Sequence, residues 1–414
     1  MSKIFYGWYI LLAIFIIYML SSIGVSTLPL INAQLKAVHG WTHEQVAGPP
    51  SLLYFFISFV ALLLGVILDK IAPKAIMMTG ALCMIVCLGA YYFITKLWQL
   101  YAVYALYSVA LTCTGIMPGM VLLNRWFSEY RGIAVGIFLM GSSLGGAIFP
   151  KWTAWLIEQY DWQMAVLGLL IAYIVLIVPP LFWIKNSPQQ LGLIPDGKIG
   201  ITKKATLSHT ADIVSFVQAI SEPLFYLLVF VTATMWFCIT ALIQHLAYYM
   251  KDLQVELSVS GTILSIFFVC SIFGKVIFGF LSDRFARKHI MLLASACMAL
   301  GSFTWQLAAT MGIEMLYVAA VVYGIGYSGT FTMIQLLLAE YYEGPVYGKL
   351  LGFFTMADTM AGSLGIYWLG YLRTASGSYV SGMKTMAILC VVSVVCVLLM
   401  RKPRINYPFI SANQ

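Results

Sequence analysis

Long apolar stretches, separated by short polar segments, run along the whole chain. Each stretch has roughly the 20 residues that an α-helix needs to cross the hydrocarbon core of a bilayer. Their number and length predict an all-α membrane protein with twelve transmembrane helices. The stretches are residues 8–35, 50–68, 75–95, 98–123, 132–155, 162–184, 223–250, 258–281, 289–309, 313–338, 349–371 and 378–400.

A short charged motif, here called the cassette, lies at the end of the second apolar stretch and occurs again at the end of the eighth stretch. In each copy a glycine is followed four residues later by an aspartate, and the aspartate is followed directly by a basic residue. The cassette therefore marks the two halves of the chain as similar. Its two copies, 214 residues apart, are Gly65, Asp69 and Lys70, and Gly279, Asp283 and Arg284.

A second set of matches gives nearly the same period. Glycine-rich patterns recur by chance in membrane proteins, but two segments that agree on one period favour duplication. We predict two pseudo-symmetric six-helix bundles, residues 1–185 and 221–414. The polar stretch 186–220 is predicted to be a cytoplasmic linker, with an interfacial helix at 211–220. At an offset of 216 residues, the positions that correspond are Gly132, Gly136, Met140 and Gly146 in the first half and Gly348, Gly352, Met356 and Gly362 in the second.

The composition excludes a soluble protein. Hydrophobic residues make up 62% of the chain and charged residues 9%, whereas about a quarter of a soluble domain is charged. The first apolar run is longer than the core of a signal peptide and is predicted to be the first membrane helix. With the N-terminus inside, sixteen Lys and Arg face the cytoplasm and six face outward. This bias predicts a multi-pass plasma (inner) membrane protein with both termini cytoplasmic.

The sequence offers no candidate for catalysis. All eight cysteines lie in apolar stretches without metal-type spacing and are interpreted as small core residues. The phosphate loop, HExxH and CxxC motifs are missing from the chain. We therefore predict a protein that is not an enzyme and has no cofactor and no metal. The net charge of +8 follows from the inward bias of basic residues, so no nucleic-acid partner is expected.

The twelve stretches, the central polar segment and the repeated cassette resemble the major facilitator superfamily of transporters. This resemblance implies two bundles that give alternating access to a substrate, with the cassettes as conformational latches. Asp69 and Asp283 are expected to hold basic side chains at the cytoplasmic face in one conformation and to release them in the other. Gly65 and Gly279 let neighbouring helices approach closely. Alanine replaces the usual glycine of the motif at 72 and 286.

Within this superfamily, five further segments resemble the monocarboxylate transporter and oxalate/formate exchanger family. The Gly-Pro signature of drug antiporters is not found in the fifth stretch, where three glycines precede Pro150, and this disfavours drug efflux. The five segments are Tyr6-Gly7-Trp8; Gly40-Trp41-Thr42; Asn124-Arg125-Trp126-Phe127 with Arg131-Gly132; Pro188 with residues 192–197; and Gln244-His245-Leu246.

Two ionisable side chains, Lys275 and Asp358, lie deep in apolar stretches. Lys275 lies eight residues before Asp283 and Asp358 lies ten after Gly348, so each is about 12 to 15 Å from the cytoplasmic face, near the midplane. An unpaired charge there costs about 2.5 to 3.5 kcal/mol or more. Both are therefore expected to face a cavity and each other. A buried structural ion pair is the alternative.

The resemblance assigns roles to these two residues. Lys275 corresponds to a helix-eight arginine that binds substrate carboxylate, and Asp358 corresponds to a helix-eleven lysine of the oxalate exchanger. The reversed sign disfavours dicarboxylates and suits a proton with a monoanion, or a zwitterion. We expect a secondary active transporter of a small organic anion, most simply a proton-coupled monocarboxylate carrier that works as a monomer in the lipid bilayer. An amino-acid-like substrate, organic-anion exchange and a non-transporting membrane sensor stay open.

Other polar residues are weaker candidates. His245 is predicted to gate or titrate near the outer mouth, or else to be a hydrogen-bonded structural group. Tyr327 corresponds to an aromatic residue that closes the oxalate exchanger's cavity, although core packing explains it equally well. For Gln335 and Tyr367 the sequence does not distinguish a cavity wall from packing.

Overall fold

The computed structural model describes residues 5–41, 43–197, 216–255, 257–342 and 347–400. Regular structure in these ranges is helical, with no strand. The chain forms two compact units, Met1–Leu207 and Ser208–Gln414. The predicted fold class, an all-α membrane protein with two helical bundles, is confirmed.

The first unit contains seven described helices. Two of them, α4 and α5, form one apolar segment, Leu97–Trp126, that is interrupted at Gly115. Two short 3-10 turns, Pro188–Leu191 and Pro195–Gly197, follow the last helix. The helices are α1 (Gly7–His39), α2 (His43–Leu68), α3 (Pro73–Tyr91), α4 (Leu97–Thr114), α5 (Ile116–Trp126), α6 (Arg131–Gln159) and α7 (Trp162–Trp183).

The second unit likewise has seven described helices, of which the first is a single short turn and a half. Six long helices follow it, in the order expected for a six-helix bundle. The helices are α8 (Phe216–Ser221), α9 (Pro223–Asp252), α10 (Leu257–Ser282), α11 (Arg287–Met311), α12 (Glu314–Tyr341), α13 (Tyr347–Ser376) and α14 (Val380–Leu399).

Ten segments within the described ranges are long and apolar enough to cross a membrane, judged by length and composition. The two other predicted spans are α2 and α13. The apolar part of α2 is Leu52–Leu68. Helix α13 is 30 residues long, and its hydropathy is reduced by Lys349, Asp358 and Arg373. With these two included, the helices account for all twelve predicted spans of a multi-pass membrane protein.

The same pairs of helices pack against each other in both units. In the first unit, α1 contacts α6 and α7, α4 contacts α2 and α3, and α3 also contacts α7. In the second unit the corresponding contacts join α9 to α13 and α14, α12 to α10 and α11, and α11 to α14. The two halves of the chain therefore share one packing plan, as the sequence duplication predicts.

The turns that contain the cassettes share most of their backbone hydrogen bonds. In both turns two N–H groups donate to the carbonyl of Ile67 or Leu281 and two donate to that of Ala72 or Ala286, at 2.8 to 3.3 Å. The second turn has one more hydrogen bond, from the Asp283 N–H to the Phe280 carbonyl at 3.3 Å. Ala72 and Ala286 precede the next helix with φ of −62° and −57°. Because these values suit any residue, the backbone does not require glycine at either position.

Several segments singled out in the sequence meet at the end of the first unit that carries Asp69. The Tyr6 hydroxyl donates to the Trp183 carbonyl at 2.9 Å, and the Trp126 indole N–H donates to the Lys185 carbonyl at 3.0 Å. The Asp196 carboxylate accepts hydrogen bonds from the backbone N–H groups that precede α6. These aromatic and acidic residues thus fasten the ends of α1, α5 and α7 and the start of the predicted linker.

The middle of the predicted linker, residues 198–215, lies outside the described residues. Its first part, up to Gly197, packs on the first unit, and its last part includes the short helix α8. The predicted boundaries at residues 185 and 221 stay predictions. The first half of the predicted interfacial helix at 211–220, residues 211–215, also falls outside the described ranges, and residues 216–220 belong to α8.

Glycine allows α1 and α6 to approach closely. A Cβ atom added at Gly145 would lie 2.2 Å from the Ser22 hydroxyl oxygen and 2.4 Å from the Met19 carbonyl oxygen. No heavy atom lies within 4 Å of a Cβ added at the next residue, Gly146. Only Gly145 therefore faces the contact between α1 and α6, so the two neighbouring glycines differ in their effect on helix packing.

We expect Gly145→Ala to destabilise the protein by about 1 to 3 kcal/mol, because the added methyl group overpacks the helix contact. Gly146→Ala is the matched control and should be neutral or stabilising by about 0.5 to 1 kcal/mol, since alanine is the better helix former. Thermal unfolding of the detergent-purified variants measures both effects. Equal unfolding temperatures for the two variants would contradict this assignment.

Candidate functional site

Lys275 lies at the centre of the candidate site. It is 0% exposed, on the face of α10 that contacts α12. Its Nζ atom lies 4.9 Å from the ring centroid of Phe331 and 5.5 Å from that of Tyr327. An ammonium over an aromatic face gains about 0.5 to 2 kcal/mol per contact. The aromatic rings therefore offset part of the cost of burying this charge.

The two rings belong to a larger aromatic cluster. Tyr327 and Phe331 are one turn apart on α12, so they share one face of that helix. The Tyr327 ring stacks on Phe267 of α10 at a centroid distance of 5.6 Å. The Phe331 ring contacts Trp236 of α9 at 5.5 Å. The structure thus places Tyr327 beside Lys275, and the aromatic cluster next to the ammonium includes residues of α9, α10 and α12.

Asp358 is the second buried ionisable group of this unit. It is 3% exposed, on α13, and its Oδ1 atom has no hydrogen-bond partner. The Thr232 side chain, on α9, lies near the carboxyl, and its hydroxyl donates to the Val229 carbonyl at 3.3 Å. A buried polar atom without a partner costs about 1 to 3 kcal/mol, so the carboxyl is poised to gain a proton or a ligand.

Lys275 and Asp358, both described in this structure, do not form an ion pair with each other, and the expectation that they face a cavity and each other stays a prediction. The Phe331 ring contacts both Lys275 and Trp236, and Trp236 lies one turn from Thr232 on α9. The aromatic faces of Tyr327 and Phe331 are among the groups that contact the ammonium.

His245 lies away from this cluster. It is 13 residues beyond Thr232 on α9, which corresponds to about 20 Å along a helix. Its ring nitrogens make hydrogen bonds to the Tyr379 hydroxyl at 3.1 Å and to the Ile366 carbonyl at 3.0 Å. These contacts tie α9 to α13 and to the start of α14. They favour the structural alternative for His245, and a gating role stays a prediction.

Comparison with known proteins identifies the family. The sequence profile of the Major Facilitator Superfamily matches residues 10–256 and 225–413. The chain belongs to the major facilitator superfamily. Its family and fold are those of secondary transporters.

Individual relatives of this superfamily member are distant. Monocarboxylate transporter 13 of Rattus norvegicus is 25% identical over 329 residues, which cover 75% of this chain and 69% of that protein. The fujikurins efflux protein of Gibberella fujikuroi is 23% identical over 373 residues, covering 87% of this chain and 74% of that protein. Matches to other curated relatives span as little as 47% of the relative's length.

A solved structure shows the same fold. The proton:xylose symporter XylE, bound to 6-bromo-6-deoxy-D-glucose, superposes with a TM-score of 0.78 and covers 94% of each chain at 13% sequence identity. At that identity the similarity concerns the fold alone.

The superfamily's cassette residues lie at the same end of each unit. Both glycines, Gly65 and Gly279, are buried, whereas Lys70 and Arg284 are exposed. Asp69 is exposed and Asp283 is half-buried, and each has hydrogen-bonding or electrostatic partners. The Arg284 guanidinium lies 4.2 Å from the ring centroid of Phe280. The placement suits a latch, which stays a prediction.

Sequence reasoning missed Phe331, Trp236 and Thr232. Phe331 had a usable signal, because it lies one helical turn from the predicted residue Tyr327. Trp236 and Thr232 had none, since their proximity to the buried charges depends on how α9 packs against α12 and α13. Tyr367 is 73% exposed, which removes it from the candidate site, whereas Gln335 is buried one turn beyond Phe331.

Proposed function

We propose that this transporter carries a small organic anion, most simply a monocarboxylate, together with a proton. The observation that carries the proposal is the fully buried Lys275 ammonium, held against the Tyr327 and Phe331 rings. Ionisable groups inside a membrane domain are costly and usually mark a substrate or proton path. A carboxylate is the ligand that would neutralise this ammonium.

Asp358 supports the coupling to protons. Its carboxyl is buried with one oxygen lacking a hydrogen-bond partner, and a carboxylate there is costly unless neutralised. In the proposed cycle a proton binds Asp358 while the substrate carboxylate binds Lys275. The loaded site then reorients, and both ligands leave on the other side of the membrane.

Charge balance favours this stoichiometry. In the empty site the ammonium of Lys275 and the carboxylate of Asp358 sum to zero. One proton and one monoanion add zero net charge, so both halves of the cycle move a neutral site. Moving one elementary charge through a potential of 100 mV costs about 2.3 kcal/mol, and a neutral site avoids this cost in both directions.

The comparisons are compatible with this substrate class and leave the direction of transport open. One relative is named a monocarboxylate transporter and another an efflux protein. We further propose that both termini are cytoplasmic, that the protein functions as a monomer in the plasma (inner) membrane, and that Asp69 and Asp283 latch the cytoplasmic side.

A zwitterionic substrate is the second candidate. It is favoured by the absence of a direct ion pair between the two described side chains Lys275 and Asp358. Two opposite charges that are not paired with each other suit a ligand whose carboxylate meets Lys275 and whose ammonium meets Asp358. An amino acid has these two groups.

Thermal unfolding with a ligand panel tests the substrate class. We expect formate, acetate, lactate or pyruvate to raise the unfolding temperature by roughly 2 °C or more at pH 5.5, with a smaller rise at pH 7.5, because a bound ligand stabilises the folded state. Oxalate and succinate should have little effect. The shift should disappear in Lys275→Met, which fills the same space without a charge. Stabilisation by alanine or glycine at both pH values would favour the zwitterion instead.

Transport by Asp358→Asn tests the proton coupling. Wild-type protein in liposomes should accumulate the monocarboxylate when the inside is alkaline, and a potassium–valinomycin potential should leave the rate unchanged. Asp358→Asn should lose the response to the pH gradient. Asp252→Asn, which removes an exposed carboxylate paired with Arg373, is the matched control and should keep it. Uptake by Asp358→Asn that still required the gradient would contradict the role of Asp358.

The latch is tested at Asp283. Asp283→Asn should slow transport roughly tenfold or more, which corresponds to about 1.4 kcal/mol, while ligand-induced stabilisation is kept, because the variant binds substrate but switches poorly. Asp252→Asn makes the same chemical change at an exposed ion pair and should transport normally. Normal transport by Asp283→Asn would refute the latch.

A further inference from the structure

One face of α10 holds a second polar group beside Lys275. Phe267, Ser271 and Lys275 follow each other at intervals of four residues, so they share one face of the helix. Phe267 stacks on the Tyr327 ring at 5.6 Å, and the Lys275 Nζ atom lies 5.5 Å from the centroid of the same ring. Ser271 lies between these two residues on the same helix face, one turn from Lys275.

The Ser271 hydroxyl has no hydrogen-bond partner in this conformation. Ser271 is 0% exposed, and its Oγ atom has no partner. Other buried hydroxyls in this unit, such as those of Ser302 and Thr332, donate back to a carbonyl one turn earlier. A buried polar group left without a partner costs about 1 to 3 kcal/mol. The Ser271 hydroxyl therefore stands ready to donate a hydrogen bond to a ligand.

A lysine alone binds a carboxylate incompletely. Its ammonium is a point charge without the planar fork with which arginine contacts both carboxylate oxygens. The second oxygen needs another donor, and the Ser271 hydroxyl is one turn away along the same helix face. The Tyr327 and Phe331 rings lie beside Lys275.

We propose that Ser271 is a substrate-binding residue that donates a hydrogen bond to the carboxylate oxygen not held by Lys275. The inference rests on the proposed function, since it requires a carboxylate at Lys275. It assigns the binding site a two-point contact, one ionic and one hydrogen-bonded. The combination selects a small ligand with an unhindered carboxylate.

The test is a titration of formate, acetate, lactate and pyruvate against purified full-length protein, with the unfolding temperature as readout. Ser271→Ala should weaken binding of the stabilising monocarboxylates roughly tenfold or more, because a hydrogen bond to a charged group is lost. Ser271→Thr keeps the hydroxyl and should bind within about threefold of wild type. Without ligand, Ser271→Ala should unfold no earlier than wild type, since it removes an unpartnered polar atom.

Ser295 provides a matched control. It is also 0% exposed with an unpartnered Oγ atom, but it lies on α11, so Ser295→Ala should bind the monocarboxylates as wild type does. Wild-type affinity in Ser271→Ala, combined with loss of binding in Lys275→Met, would overturn the inference and leave the proposed function intact. Unchanged binding in Lys275→Met, or no binding by wild type, would overturn both. Equal weakening by Ser271→Ala and Ser295→Ala would also overturn the role of Ser271.

Discussion

The candidate site of the second unit depends on how the buried Lys275 ammonium is stabilised. No solvent reaches this side chain, and a charge deep in a membrane domain needs compensation from its surroundings. Two aromatic faces supply part of it, and they in turn fix the neighbours that pack against them. Phe267 on α10 and Trp236 on α9 are drawn into the same cluster. The buried ammonium thus lies beside an aromatic cluster that joins α9, α10 and α12.

Contacts between the Lys275 ammonium and aromatic rings differ from a salt bridge in how easily the ammonium can bind a ligand. An ion pair between Lys275 and Asp358 would have to break before either group could bind a ligand, at a cost set by its low-dielectric surroundings. Ring contacts stabilise the ammonium more weakly and leave Asp358 with an oxygen that can accept a partner. A carrier must release its ligand as well as bind it. Moderate stabilisation of the empty site is compatible with both requirements.

Much of the fold follows from local sequence, and much of the site does not. The apolar stretches predict the helices because their length matches the bilayer core. The repeated cassette predicts the duplicated packing because similar sequences form similar turns. Lys275 and Asp358 were found because a charge in an apolar stretch is conspicuous. The sequence does not predict Trp236, Thr232 or the missing ion pair, since these depend on how separate helices rotate and pack. His245 illustrates the same limit, because its partners Tyr379 and Ile366 are more than a hundred residues away.

The duplication has an evolutionary consequence. At the offsets of 214 and 216 residues that relate the two halves, the first unit has Ala61 where the second has Lys275, and Ser142 where the second has Asp358. The backbone turns and helix contacts match across the halves, whereas these two charges do not. Two copies of one scaffold have therefore diverged in their chemistry. Mutations in the second unit, which carries the two charges, can therefore change ligand preference while the first unit keeps its architecture.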